Sequence, residues 1–108
     1  MAKNINNLQP EDRLLVKELG PRGDGREKEI KQLLVEGADP NCQDAERRSP
    51  LLIAVDNERR SCLKPLIDKG ADINRRSGPN MNTPLHLAVK KGPEGKDVVK
   101  ILLVLVDF

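Results

Sequence analysis

Apolar residues fall at helical spacing in six stretches of the chain. Pro10-Glu11-Asp12 opens a helix to about Leu19, with Leu14, Leu15 and Leu19 on one face and acids at the positive end. Two short stretches follow a hydroxyl residue and a proline. After Ser49-Pro50, Leu51, Ala54 and Val55 recur at i, i+3 and i+4; after Thr83-Pro84, Leu85, Ala88 and Val89 do the same. Each hydroxyl caps its helix, each proline suits the first helical position, and each triplet predicts a buried stripe. Three further helices, about 27–36, 62–69 and 96–106, carry leucine-rich faces. Gly37 and Gly70 stand where a left-handed residue ends a helix. Pro65 conflicts with the helix at about 62–69 unless that helix starts late, capped by Ser61 or Cys62 and shortened by several residues.

The elements recur. Gly37-Ala38-Asp39-Pro40-Asn41 returns 33 residues later as Gly70-Ala71-Asp72-Ile73-Asn74, and Ile30, Leu33 and Leu34 return as Leu63, Leu66 and Ile67. Ser49-Pro50-Leu51-Leu52-Ile53-Ala54-Val55 returns as Thr83-Pro84-Leu85-His86-Leu87-Ala88-Val89, one residue further on. One residue is therefore inserted between Asn74 and Thr83.

Thr83-Pro84-Leu85-His86-Leu87-Ala88 and Gly70-Ala71-Asp72-Ile73-Asn74 resemble the signature and the inter-repeat turn of the ankyrin repeat family. The resemblance implies an all-α solenoid of stacked antiparallel helix pairs with finger-like turns and little regular sheet. It implies units of about 10–41, 42–74 and 75–108, after a disordered terminus at 1–9. Gly20-Pro21-Arg22-Gly23-Asp24-Gly25 is then a long, flexible connection in a lengthened amino-terminal unit. Such proteins contact partners with finger tips and the concave face of the inner helices. Carried onto this chain, that surface is Gln43, Glu46 and Arg48, with Ala45, in the first finger, and Asp56 and Asn57 on its helix. The second finger supplies Arg76, Asn80 and Asn82, with Pro79, and its helix supplies Lys90 and Lys91. The family's usual finger glycine is replaced by Arg47, and the insertion leaves the second finger ambiguous around Asn80-Met81. The resemblance also implies that the His86 imidazole ties one turn to the next.

Composition narrows the chemistry. Phe108 is the sole aromatic of 108 residues, which argues against aromatic cages and base-stacking platforms. Nineteen Lys and Arg against 17 Asp and Glu give a net charge of +2, too small and too interspersed for a phosphate-binding surface. The pairs Arg47-Arg48, Arg59-Arg60, Arg75-Arg76 and Lys90-Lys91 are read first as solvated surface and second as a modest stripe for an acidic partner segment. One His and two Cys give no metal set, and no nucleophile, base and oxyanion donors assemble, so no cofactor and no catalysis are expected. Cys42 and Cys62 read as packed small residues in a reducing compartment, cytosol or nucleus. Arg22-Gly23-Asp24 is read as a chance tripeptide; the glycine-rich stretch around it lacks the ending of a phosphate loop.

The expected function is a non-catalytic protein–protein interaction module. Two alternatives stand beside it: a nucleic-acid-associated regulator using the basic pairs, and an interaction fragment of a larger protein. The last helix is apolar nearly all round, and no stretch approaches the length of a membrane span. Leu103, Leu105, Val106 and Phe108 are expected to include an exposed patch, left by truncation of a longer array, used for self-association or covered by a partner.

Overall fold

The computed structural model describes residues 8–105. Six helices follow one another: α1 (Pro10–Leu19), α2 (Glu27–Val35), α3 (Pro50–Asp56), α4 (Arg60–Asp68), α5 (Pro84–Lys90) and α6 (Lys96–Leu105). A 3-10 turn, Gly92–Gly95, precedes α6. Helices α1, α3 and α5 stack as an inner row, α2, α4 and α6 as an outer row, and each inner helix packs on the outer helix that follows it. Among the described residues the only β pairing is an isolated bridge between Ser77 and Asn82.

The repeat dictates the core. Leu15, Leu19, Ile30, Leu51, Ile53, Leu63, Leu66, Val98 and Leu102 are buried almost completely between the rows. Ser49 Oγ accepts from Leu52 N–H at 3.2 Å and Thr83 Oγ1 from His86 N–H at 3.1 Å, so both hydroxyls cap as the sequence predicts. Gly37 and Gly70 have φ of 109° and 100°, the left-handed ends expected of them. A polar ladder sets the register between units. Asp39 N–H donates to Asp12 Oδ1 at 2.7 Å; Asn41 Nδ2 donates to the Gly70 carbonyl, and Asn41 Oδ1 accepts from Asp72 N–H, both at 2.9 Å.

Four expectations need correction. Leu14 is 52% exposed, and Val16 is buried beside Leu15 and Leu19 on the side of α1 that shares a concavity with Ile53 of α3. Leu8, within the stretch 1–9 expected to be a disordered tail, is buried in the core; residues 1–7 lie outside the described residues. Helix α4 starts at Arg60, not late, and carries Pro65 inside it. The turn Cys62 N–H to Arg59 carbonyl starts the helix, and the Ser61 carbonyl that Pro65 cannot serve belongs to an exposed residue within reach of water. The buried face of Pro65 packs beside Leu34 instead.

The glycine-rich connection is the fourth. It is pinned rather than loose. Helix α3 ends in a left-handed Glu58 (φ 58°), and Arg59 N–H returns to the Ala54 carbonyl. This aims the Arg59 guanidinium back along the stack, where it donates to the carbonyls of Leu19 (3.3 Å), Gly20 (2.8 Å) and Gly23 (2.8 Å). Gly23 lies so close to the Lys17 carbonyl and Glu18 backbone that any Cβ there would collide. Cys62 Sγ donates to the Gly25 carbonyl, and Gly25 N–H donates to the Glu18 carbonyl. Glu18, nearly buried, accepts from both the backbone and the guanidinium of Arg26.

Two outcomes follow from these contacts. Arg59→Ala strips charged hydrogen bonds from three carbonyls and should lower unfolding free energy by about 1.5–3 kcal/mol in urea titration. Arg60→Ala, which breaks only the exposed pair with Asp97, should cost less than about 1 kcal/mol. Equal losses would overturn the clamp. The Arg26 side-chain bond holds the Glu18 carboxyl below its ordinary range, against the opposing effect of burial. A depressed carboxyl stabilises the fold above its unfolded pKa and loses that contribution as pH falls through its folded one. Stability should therefore fall as the solution is acidified below the usual glutamate range, and Glu18→Gln should flatten that slope.

Candidate functional site

The concave side is built from the two fingers and the inner helices. The first finger, residues 39–49, folds over Asp44. Its carboxylate accepts from the N–H groups of Glu46 (2.9 Å) and Arg48 (2.8 Å), and Arg48 Nε donates to it at 2.9 Å. Asp44 was not among the residues singled out from the sequence. The signal was there, since an aspartate opening a loop commonly bonds the backbone two residues on. The second finger, residues 72–83, closes through reciprocal bonds between Ser77 and Asn82. It also docks on the first. Gly78 N–H donates to the Arg47 carbonyl at 2.9 Å, and the buried Ser77 hydroxyl accepts from Ser49 N–H.

Arg48 is the hub of a charge network. Besides Asp44 it faces Glu46 (Nη2–Oε1 3.6 Å) and Asp56 (Nη1–Oδ2 3.7 Å), and Lys91 reaches the other Asp56 oxygen at 3.6 Å. Glu46, Arg48, Asp56, Asn80 and Asn82 line one groove of about 160 Å³, floored by Leu52 and Leu87. Lys91 joins it through Asp56. Gln43 does not; it lies at the finger base with Cys42 and Arg75. Asn57 is half-buried and uses its amide on the Ile53 carbonyl. Arg76 and Lys90 are exposed beyond the groove and have no ion pair among the described residues.

The basic pairs therefore do not make a uniform stripe. Arg48, Arg59, Arg60 and Lys91 are engaged with protein oxygens, while Arg47, Arg76 and Lys90 are exposed. Arg47 and Met81 occupy equivalent finger positions, and both are left-handed, with φ of 66° and 52°. This resolves the second finger, where Met81, 58% exposed, holds the place of Arg47. His86 is exposed, and its imidazole makes no hydrogen bond among the described residues. The expected tie between turns is made instead by Ser49 and Ser77.

Burial drives the Cys42 thiol up to about 12 and raises that of Cys62, so both are packed, protonated thiols. No group of His, Cys, Asp and Glu among the described residues is placed to hold a metal ion. No described helix is long and apolar enough to cross a membrane.

The open end of the stack differs from its interior. Val55 is fully buried on α3, which packs on α5, whereas its repeat counterpart Val89, expected in a buried stripe, is 61% exposed, with no further described helix stacked on α5. On α6, Leu103 and Val104 are exposed, while Leu105, expected in the exposed patch, packs partly against the core. Val106 and Phe108 lie outside the described residues.

The sequence pattern of the family described as ankyrin repeats (3 copies) matches residues 23–107. Among curated relatives, the chain is 37% identical over 81 residues to the putative E3 ubiquitin-protein ligase XBAT35 of Arabidopsis thaliana, covering 73% of this chain and 17% of that protein. It is 40% identical over 75 residues to a putative ankyrin repeat protein of Rickettsia felis, covering 69% and 18%. It is 33% identical over 60 residues to the human ankyrin repeat and SOCS box protein 9, covering 56% and 18%. The chain thus spans less than a fifth of the length of these relatives, and the ligase name belongs to the Arabidopsis protein. Helix pairs, capped Ser/Thr-Pro starts, finger turns and the match over residues 23–107 agree: the chain belongs to the ankyrin repeat family, whose repeats are protein–protein interaction modules.

Proposed function

We propose that this chain binds a protein partner across its two finger tips and the concave inner-helix face, without catalysis. The observation that carries the reading is the left-handed backbone at Arg47 and Met81. A side chain at such a position costs about 1–2 kcal/mol relative to glycine, and both fingers keep a large exposed one there. A long cation and a flexible thioether at adjacent tips suit a partner surface, since Arg and Met are enriched at interfaces. Arg76, Asn80 and Lys90 extend the same face. Glu46, Arg48, Asp56 and Lys91 hold the groove between fingers in shape. Two free cysteines, both buried, support a reducing compartment, cytosol or nucleus.

A photoreactive residue in place of Asn80 or Lys90 should capture a protein from cells, whereas one in place of Lys28 on α2 or Lys100 on α6 should not. Arg47→Gly and Met81→Gly should raise stability by about 1 kcal/mol each while reducing that capture. Capture from the outer helices alone, or glycine variants that destabilise and still bind, would overturn the reading.

A second reading rests on Val89, Leu103 and Val104, exposed together at the open end of the stack. They support self-association of two chains through that end. Sedimentation should then show association rising with concentration, lost in Leu103→Lys/Val104→Lys. A wild-type chain monomeric at the highest concentrations would exclude it.

A further inference from the structure

A second concavity of the described structure lies away from the groove between the fingers. It has a volume near 420 Å³ and runs between α1, the pinned connection and the first finger, within the range of about 300–1,000 Å³ usual for ligand sites. Its floor is apolar, made by Val16, Pro21, Ala45 and Ile53. Its two rims differ in charge available to a visitor. On the finger rim, the Asp44 carboxylate is consumed by two backbone N–H groups and Arg48, and the exposed Glu46 carboxylate also faces Arg48 at 3.6 Å. On the helix rim, Lys17 and Arg22 are exposed and have no ion pair among the described residues. The rim shape is fixed, because Arg59 grips the carbonyls of Leu19, Gly20 and Gly23 from behind.

From this geometry we infer that the concavity binds a short acidic–aliphatic segment of a partner protein. An aliphatic side chain lies on the Val16, Ala45 and Ile53 floor, and a carboxylate close to it in sequence faces Lys17 and Arg22. The inference deepens the proposed function and rests on it, adding the chemistry of the segment. Charge complementarity selects this occupant. The chain's own residues 1–7 carry Lys3 and no carboxylate, so they do not supply it. A nucleic acid would match the cations but leave the apolar floor unused, and the groove contains no aromatic ring for a base.

The test uses the full chain and labelled synthetic peptides followed by fluorescence anisotropy. A short peptide alternating leucine with aspartate should bind, and its lysine-for-aspartate and serine-for-leucine counterparts should bind at least about tenfold more weakly. Lys17→Glu with Arg22→Glu should weaken the acidic peptide at least about tenfold, and raised salt should weaken it further. Ala45→Asp, on an exposed finger position, should abolish binding while leaving the circular dichroism spectrum unchanged. Absence of peptide binding, equal binding of the lysine peptide, indifference to the Lys17 and Arg22 reversals, or tighter binding of a single-stranded oligonucleotide would each overturn the inference. Should photoreactive residues at Asn80 and Lys90 still capture a protein in that case, the groove assignment alone would fail. Should they capture none, the wider reading would fail with it.

Discussion

No helix pair in this protein can bury its own apolar surface. Each has one face toward its partner helix and two toward its neighbours, so the core exists only where units are stacked. Register between units is therefore the constraint from which the rest follows. Polar bonds between units keep it alongside the buried leucines. Asp12 holds Asp39, and Asn41 reads both a carbonyl and an amide of the next turn. These bonds bring the fingers side by side, so that Gly78 meets the Arg47 carbonyl and Ser77 meets Ser49. The concave grooves are a product of that alignment.

Charge then divides into two kinds. Arg48, Arg59 and Lys91 are fastened to protein oxygens and act as parts of the scaffold. Arg47, Arg76, Lys90, Lys17 and Arg22 project from it. Identical residue types, even adjacent ones, fall on opposite sides of this division, as Arg47 and Arg48 do. A chain with a net charge of only +2 can in this way present local positive rims without a strong overall field.

Much of the architecture was legible because it is local and repeated. Caps, proline positions, glycine turns and the i, i+3, i+4 stripes all depend on neighbours within one turn, and the period repeats the same information in successive units. What escaped depends on residues far apart. Arg59 reaches back about 40 residues to the connection, and nothing in Gly20–Gly25 itself announces that partner. Leu14 is exposed and Val16 buried because of how α1 packs against α2 and α3, which no spacing within α1 records. Pro65 sits inside a helix, four residues after the exposed Ser61 whose carbonyl it leaves without an N–H donor, a matter of exposure rather than spacing. Val89 shares the pattern of Val55 and lacks only a neighbour. Of the residues that line the groove between the fingers, the sequence singled out Glu46, Arg48, Asp56, Asn80 and Asn82, but not Asp44, which shapes the finger, nor the concavity beside α1, which needs two distant segments to form.

The Arg59 clamp makes the two ends of the stack unequal. The first two helix pairs are joined by buried contacts, three guanidinium bonds and the bonded Glu18–Arg26 pair. The third is joined by buried contacts too, with Ala88, Val98 and Leu102 in the same core, but its charged link across the outer row is the exposed Arg60–Asp97 pair, which contributes little in water. Native-state fraying should then be graded, with α5 and α6 opening at low free energy while α1 to α4 open nearly together. The second finger belongs to the looser part. A partner that bridges both fingers would suppress this opening, so that part of its binding free energy would go into stiffening the far end of the solenoid, and amide exchange in α6 would slow without a single contact to it.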